Sequence, residues 1–323
     1  MGRTEPGKAR RAIALAGIGA ALALLPASAA MASASAPAHD STAAARERAE
    51  IAKVKRYWTP ARMRSARPLE LGIDPSGKSR LRLGALPDES GASASWAEVL
   101  TPSDPPYTVN GRIFLRQAGE HAFCSGTAIN SPTRQLVLTA GHCVATGPRR
   151  NGPNVMSNYM EFVPAYTGGL APFGAFVAKR GKIFALKPWK KQGNPDFDMG
   201  AFLTHPNAEG VNVADAVGGG ATIVTDLPRQ QSFQTFGYPG ETKQMQGCRS
   251  QYRGDDALSY PFPGPPTLAI GCRWAPGASG GGWLIGDGSQ INGITTYLHF
   301  NNKSRTYGPY FSQETVGKLV KGL

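Results

Sequence analysis

Leu136-Val137-Leu138-Thr139-Ala140-Gly141-His142-Cys143 is an apolar run that narrows to small residues and then presents an imidazole. Short apolar runs bounded by turn residues read as strands, so His142 is expected where a strand gives way to a loop. Outward from this stretch the pattern repeats. Candidate strands cover residues 112–116, 126–130, 136–139, 160–164, 174–185, 199–203, 221–224, 233–238, 245–252, 267–272, 282–285 and 291–296. Between them lie turn signals such as Asn130-Ser131-Pro132, Tyr238-Pro239-Gly240 and Asp287-Gly288, the last a strong hairpin signal. Many short strands with frequent turns favour an all-β sandwich or barrel over alternating β and α units. With 40 glycines, 26 prolines and only 18% charged residues, a coiled coil or helical bundle is excluded, while 41% hydrophobic content is enough for a core. One helix is expected at the C-terminus, capped by Ser312, with Val316, Leu319, Val320 and Leu323 at helical spacing.

Two further positions join the histidine. Ser279 lies in Gly277-Ala278-Ser279-Gly280-Gly281-Gly282. Glycines around a serine let the chain turn sharply, let a substrate approach, and leave backbone N–H groups to meet a developing oxyanion. An ordinary glycine-rich loop has the same composition. Asp198 enters the apolar run Met199-Gly200-Ala201-Phe202-Leu203. A carboxylate there is costly to bury without a hydrogen-bond partner, and an imidazole N–H is one. Asp196 competes for that role, and the alternative for either is a turn residue at a strand start. Histidine as base near neutral pH, a carboxylate and a glycine-framed serine together suggest nucleophilic catalysis.

Four cysteines, Cys124, Cys143, Cys248 and Cys272, allow three disulfide pairings. Nearest-neighbour pairing would join Cys124 to Cys143 and Cys248 to Cys272. A zinc site is the rival, but no Cys-x-x-Cys occurs and adjacent His142-Cys143 is not ordinary ligand spacing.

Cys124-Ser-Gly-Thr-Ala-Ile, Leu138-Thr-Ala-Gly-His142-Cys143, Asp198-Met-Gly-Ala and Gly277-Ala-Ser279-Gly-Gly together resemble the chymotrypsin/trypsin-like serine peptidases over residues 107–323. Among these the chain looks most like secreted bacterial members similar to the glutamyl endopeptidases. The resemblance implies two antiparallel six-stranded β-barrels with the site in the cleft between them. It implies a Ser279 nucleophile, His142 as general base and acid, Asp198 as its orienting partner, and an oxyanion hole from the amides of Gly277 and Ser279. It also implies a Cys124–Cys143 bridge beside the histidine. Chain order agrees: Gly277-x-Ser279-x-Gly281 also fits the α/β-hydrolase elbow, but that fold needs its acid and histidine after the serine, where only 44 residues and His299 remain.

The motif departs from the family at Ala278, where an aspartate is common, and at Gly282, where proline is. Ala278 cannot pair with a new N-terminus, so trypsin-style activation is not expected. Thr295 stands where glutamyl endopeptidases carry a histidine. Arg273, six residues before Ser279, is either a basic pocket residue or a solvated one. His121, His205 and His299 have no motif around them and are expected to be surface or structural. No phosphate loop, calcium loop, metal signature or cofactor motif is present. A catalytically silent, protein-binding relative is the alternative function, and esterase activity would use the same nucleophile.

The first 95 residues read differently. Arg3, Lys8, Arg10 and Arg11 precede an apolar run at 12–25 and then Ala27-Ser28-Ala29 and Ala34-Ser35-Ala36. This is the pattern of a secretory signal peptide over residues 1–36, shorter than the roughly 20 residues a membrane anchor needs. Export agrees with disulfides. Residues 40–58 read as a charged helix, and 59–95 show no clear period. Residues 37–95 are therefore expected to be a pro-segment or a disordered spacer, with the peptidase domain at 96–323. The formal charge of +13 divides into +7 over residues 1–95 and +6 over 96–323, scattered between apolar runs. No nucleic-acid module appears. The expectations are a secreted monomer acting on protein or peptide substrates, without cofactor, nucleic acid or stable membrane anchor.

Overall fold

The computed structural model describes residues 38–84, 97–149, 152–240, 242, 244–256, 264–273, 275–321 and 323. The expected signal peptide lies outside them. Residues 44–323 form one compact unit, and of residues 1–43 only 38–43 are described, as the start of a helix.

Helix α1 (Ala38–Tyr57) is rich in the good helix formers Ala, Arg, Glu and Lys. It buries Val54 and is followed by buried Trp58, whose indole N–H donates to the Tyr159 carbonyl at 2.5 Å. Thr59 caps α2 (Pro60–Ser65), with proline preset for the first helical position. Next, β1 (Arg67–Ile73) and β2 (Ser79–Leu83) form an antiparallel hairpin, Leu71 opposite Leu81. Every residue of β1 after Arg67 is buried. Leu69, Leu71 and Ile73, each at most 3% exposed, contribute about 1.5–3 kcal/mol apiece by burial. Residues 59–84, the described part of the stretch without a clear period, form a short helix and a packed hairpin.

After the short β3 (Ala97–Glu98) come β4 (Asn110–Gln117), β5 (Glu120–Ile129), β6 (Leu136–Ala140), β7 (Asn158–Pro164), β8 (Phe176–Ala185) and β9 (Met199–Thr204). Their antiparallel pairings run β4–β5–β6–β9–β8–β7 and back to β4, closing a six-stranded barrel. Closure removes exposed edges. Ile113, Phe123, Val137, Leu138, Phe162, Phe176 and Phe202 fill the fully buried core.

The second half contains β10 (Thr222–Ile223), β11 (Ser232–Gly237), β12 (Gln246–Asp255), β13 (Leu268–Ile270), β14 (Gly282–Ile285), β15 (Gln290–Ile294), β16 (Tyr297–His299) and β17 (Asn302–Gly308). The ladder runs β14–β11–β12–β13–β17–β16 and returns from β15 to β14. Only Thr295 and Thr296 separate β15 from β16, so these two act as one bent strand and complete a second ring. The architecture is the expected chymotrypsin-like double barrel, with further strands outside the rings. Asp287 and Gly288 form the β14–β15 turn, the Asp287 carboxylate accepting the Ser289 N–H at 2.9 Å. The C-terminal helix is shorter and less regular than expected: a π-helical turn, Gln313–Gly317, runs into an α-helical turn, Lys318–Val320. Ser312 still opens it, its N–H donating to Thr315 Oγ1 at 2.9 Å, and Val316 and Leu319 are buried. No described helix is long and apolar enough to cross a membrane.

Candidate active site

β6 delivers its end into a single helical turn, α3 (Gly141–Val144), which carries His142. The disulfide Cys124–Cys143 ties that turn to β5, and Cys248–Cys272 ties β12 to the segment after β13. Nearest-neighbour pairing therefore holds. The first bridge closes a loop with a sequence separation of 19, worth about 3 kcal/mol by the chain-entropy account. Cys124, His142 and Cys143 place their donor atoms within 4.8 Å of one another. The two sulfurs are bonded together, however, so they offer no thiolates to a metal.

Asp198 closes the 3-10 turn Pro195–Phe197 and immediately precedes β9, which pairs with β6 at Ala140–Met199. The pairing puts the carboxylate under the histidine. Asp198 Oδ2 lies 2.7 Å from His142 Nδ1, and Oδ1 accepts the His142 backbone N–H at 2.7 Å. Both side chains are fully buried. Asp196, two residues earlier, does not reach the histidine. Burial and the nearby Asp256 carboxylate push its carboxyl up to about 6. The turn aims the two carboxylates apart, so that of the two only Asp198 meets the imidazole. With the proton held on Nδ1 by the carboxylate, Nε2 is the basic nitrogen. Nε2 is buried and has no hydrogen-bond partner among the described residues, so it is not bonded to Ser279 Oγ.

The serine loop is pressed against the first barrel. Gly277 and Gly280 have φ of +96° and +85°. A Cβ at Gly277 would sit 2.4 Å from the Phe123 ring, and one at Gly280 would sit 2.1 Å from Thr139 Oγ1. Only glycine fits either place. The Ser279 carbonyl accepts the Ser125 N–H at 2.8 Å and lies 3.8 Å from Cys143 Sγ, which brings the serine beside the histidine turn. Ser279 itself is buried, 5% exposed.

Several supporting groups carry no motif. Ser125 Oγ donates to the Gly277 carbonyl at 2.9 Å and accepts the Tyr238 N–H at 2.8 Å. Gln117 Nε2 donates to the His142 carbonyl at 2.9 Å and to Ser157 Oγ at 2.9 Å. The Trp189 ring meets the imidazole edge-on, centroids 6.2 Å apart. Ser125 follows Cys124 inside a recognised string, which was the one sequence signal for it; Gln117 and Trp189 had none.

Thr295 Oγ1 accepts the Trp283 indole N–H at 2.9 Å, so its hydroxyl is committed to the barrel interior. Arg273 is exposed and gives no support to a basic pocket. His121 accepts or donates at Tyr57 OH (2.8 Å), His205 pairs with Glu47 (2.7 Å), and buried His299 lies 3.2 Å from Asp256; all three are structural. Two larger grooves, about 680 and 650 Å³, include Gln234 and Arg249 but neither His142 nor Ser279.

No family model matches the chain, and no curated protein matches it in sequence. Solved structures do match. The protease Anisep from Arthrobacter nicotinovorans is 29% identical, covering 68% of this chain and 98% of its own at a TM-score of 0.58. The chain is similar to bacterial serine proteases. A thermostable serine protease from an extremophilic microorganism is 24% identical, covering 67% of this chain and 96% of its own (TM-score 0.58). A Glu endopeptidase is 17% identical, covering 71% and 97% (TM-score 0.57); at their identities these last two structures speak for the fold alone. The likeness supports a protease with a trypsin-like fold. About a third of the chain lies outside the match to the Arthrobacter protein, which is itself covered almost whole.

Proposed function

We propose that the chain is a secreted serine endopeptidase that cuts peptide bonds through an acyl-enzyme. The observation that carries this is the fully buried His142–Asp198 pair, held by two 2.7 Å bonds, with the Ser279 loop pinned against the same strands. In the reaction, His142 Nε2 takes the Ser279 Oγ proton as the oxygen attacks the substrate carbonyl carbon. Asp198 keeps the imidazole in the right tautomer and faces the imidazolium as it forms. The N–H groups of Gly277 and Ser279 stabilise the oxyanion. His142 then returns the proton to the departing amine, and water, activated by the same nitrogen, releases the acyl group. Residues 1–36 serve export and residues 37–95 act as a pro-segment. The two disulfides agree with an oxidising, extracellular destination, and the enzyme works as a monomer without metal or cofactor.

The test is a fluorophosphonate probe and a mixed-peptide library applied to the processed protein and to Ser279→Ala. Labelling and cleavage by the first and neither by the second are expected. A folded, processed wild-type protein that is never labelled would refute the peptidase reading.

A further inference from the structure

The hairpin of residues 67–83 does not merely pack on the peptidase fold; it lies in the cleft. β1 pairs in parallel with β16, Leu71 opposite Tyr297, Gly72 opposite Leu298 and Ile73 opposite His299. At its other end it pairs with β5 of the first barrel, Arg67 opposite Ala122 and Pro68 opposite Phe123. One strand thus bridges both barrels across the serine. Between these contacts the Leu69 carbonyl accepts the Gly277 N–H at 3.0 Å. That N–H is one of the two donors proposed for the oxyanion. The space left between Glu70, Leu71 and the Ser279 loop is only about 20 Å³, room for about one water and no side chain. His142 is fully buried and Ser279 nearly so.

From this geometry we infer that β1 is a built-in inhibitor of the peptidase: it binds as an extended peptide would, puts a carbonyl on the Gly277 amide, and is not cut. The inference rests on the serine-peptidase reading above. Main-chain pairing supplies the affinity, as in other cases of strand addition to a sheet edge. Resistance to cleavage follows from two observations. Expelling an amine from the Leu69–Glu70 bond requires a proton from His142 Nε2, and that nitrogen has no hydrogen-bond partner among the described residues; the Glu70 nitrogen is therefore not engaged by it. Nor is Ser279 Oγ bonded to Nε2, so the nucleophile is not activated. The second strand of the hairpin locks the first: Arg82 pairs with Glu70, and its guanidinium covers the Phe300 ring at 4.0 Å. Outside the cleft, α1 reinforces the clamp through Glu47 on His205 and Lys55 on Glu161. Activation consequently requires that residues 67–84 be displaced from the cleft or removed, and the absence of an aspartate at Ala278 is no obstacle to it.

The experiment follows fluorophosphonate labelling of Ser279 in the full chain. Wild type is compared with Leu69→Asp/Leu71→Asp, which puts charges where β1 is buried, and with Gly72→Val, whose Cβ would meet the Phe300 ring at 2.2 Å. Folding is checked by near-ultraviolet circular dichroism. The expected result is labelling at least 100-fold faster in the released variants. It should be slowed again by adding a synthetic peptide of residues 67–84 and not by a scrambled one. A wild-type arm needs no substitution: after brief nicking by an external protease, mass spectrometry should find label only on molecules that have lost residues 67–84. If intact wild-type chain is labelled as fast as the released or nicked forms, the inhibitory strand is refuted and the peptidase reading survives. If folded chains without the hairpin are never labelled, the peptidase reading fails and the inhibitor with it.

Discussion

Replacing Asp198 by asparagine keeps the volume of the side chain and removes its charge. The carboxylate holds two donors at 2.7 Å, the backbone N–H of His142 and its Nδ1. An asparagine whose Oδ1 keeps the backbone bond must turn its NH₂ toward Nδ1. The imidazole then accepts there, moves its proton to Nε2, and ceases to be a base toward Ser279. Turned the other way, the NH₂ collides with the backbone donor. Besides the tautomer, the imidazolium of the transition state loses its counter-charge. At about 4 Å and an effective dielectric of about 20, that interaction is about 4 kcal/mol. Adding the weakened hydrogen bond, about 1.5 kcal/mol, gives about 5.5 kcal/mol, or about 10⁴-fold in kcat at 1.36 kcal/mol per decade. KM should change little, because the carboxylate lies behind the imidazole and meets no substrate. The assay is steady-state hydrolysis of a preferred peptide by processed enzyme, with concentrations set by fluorophosphonate titration. A loss below about 10-fold, or a larger loss in Asp196→Asn, would refute the assignment.

Asp196→Asn should act on stability rather than activity. Its carboxyl is raised from 3.8 to about 6 by burial and Asp256, so the folded state holds a proton that the unfolded state releases. Its contribution is present below pH 3.8 and is lost as pH rises through about 6; the variant should show a shallower fall in Tm across that window. Ser125→Ala leaves the Tyr238 N–H without its acceptor and the Gly277 carbonyl without its donor, costing about 1–3 kcal/mol. Thermal unfolding should detect the cost, and kcat should fall about 10-fold because the oxyanion loop is less firmly placed. Replacing Cys124 and Cys143 by alanine together should cost about 3 kcal/mol, seen as a lower denaturant midpoint with the slope nearly unchanged.

Much of this molecule is written locally. Apolar runs punctuated by Gly, Pro, Asn and Asp located the strands of the first barrel, because a strand buried between layers needs little more than such a run. The strings around His142 and Ser279 were legible for a related reason: a backbone that must press within van der Waals contact of β5 and β6 tolerates only small residues there. β16 and β17 were missed. β16 is only three residues long, and β17 begins with the polar run Asn302-Lys303-Ser304-Arg305, exposed in the structure. The choice of Asp198 over Asp196 needed the 3-10 turn that aims them apart, and the work of Ser125 needed its two backbone partners. Least legible was β1. Its six residues after Arg67 are all buried, on both faces, so they show no alternation, and its partners lie far away in sequence. The contact from the Leu69 carbonyl to the Gly277 amide joins two backbone groups, and a backbone hydrogen bond leaves no mark on residue identity. The sequence alone determined which groups could do chemistry; the tertiary structure decided which of them meet, and that a strand of the chain's own lies over them.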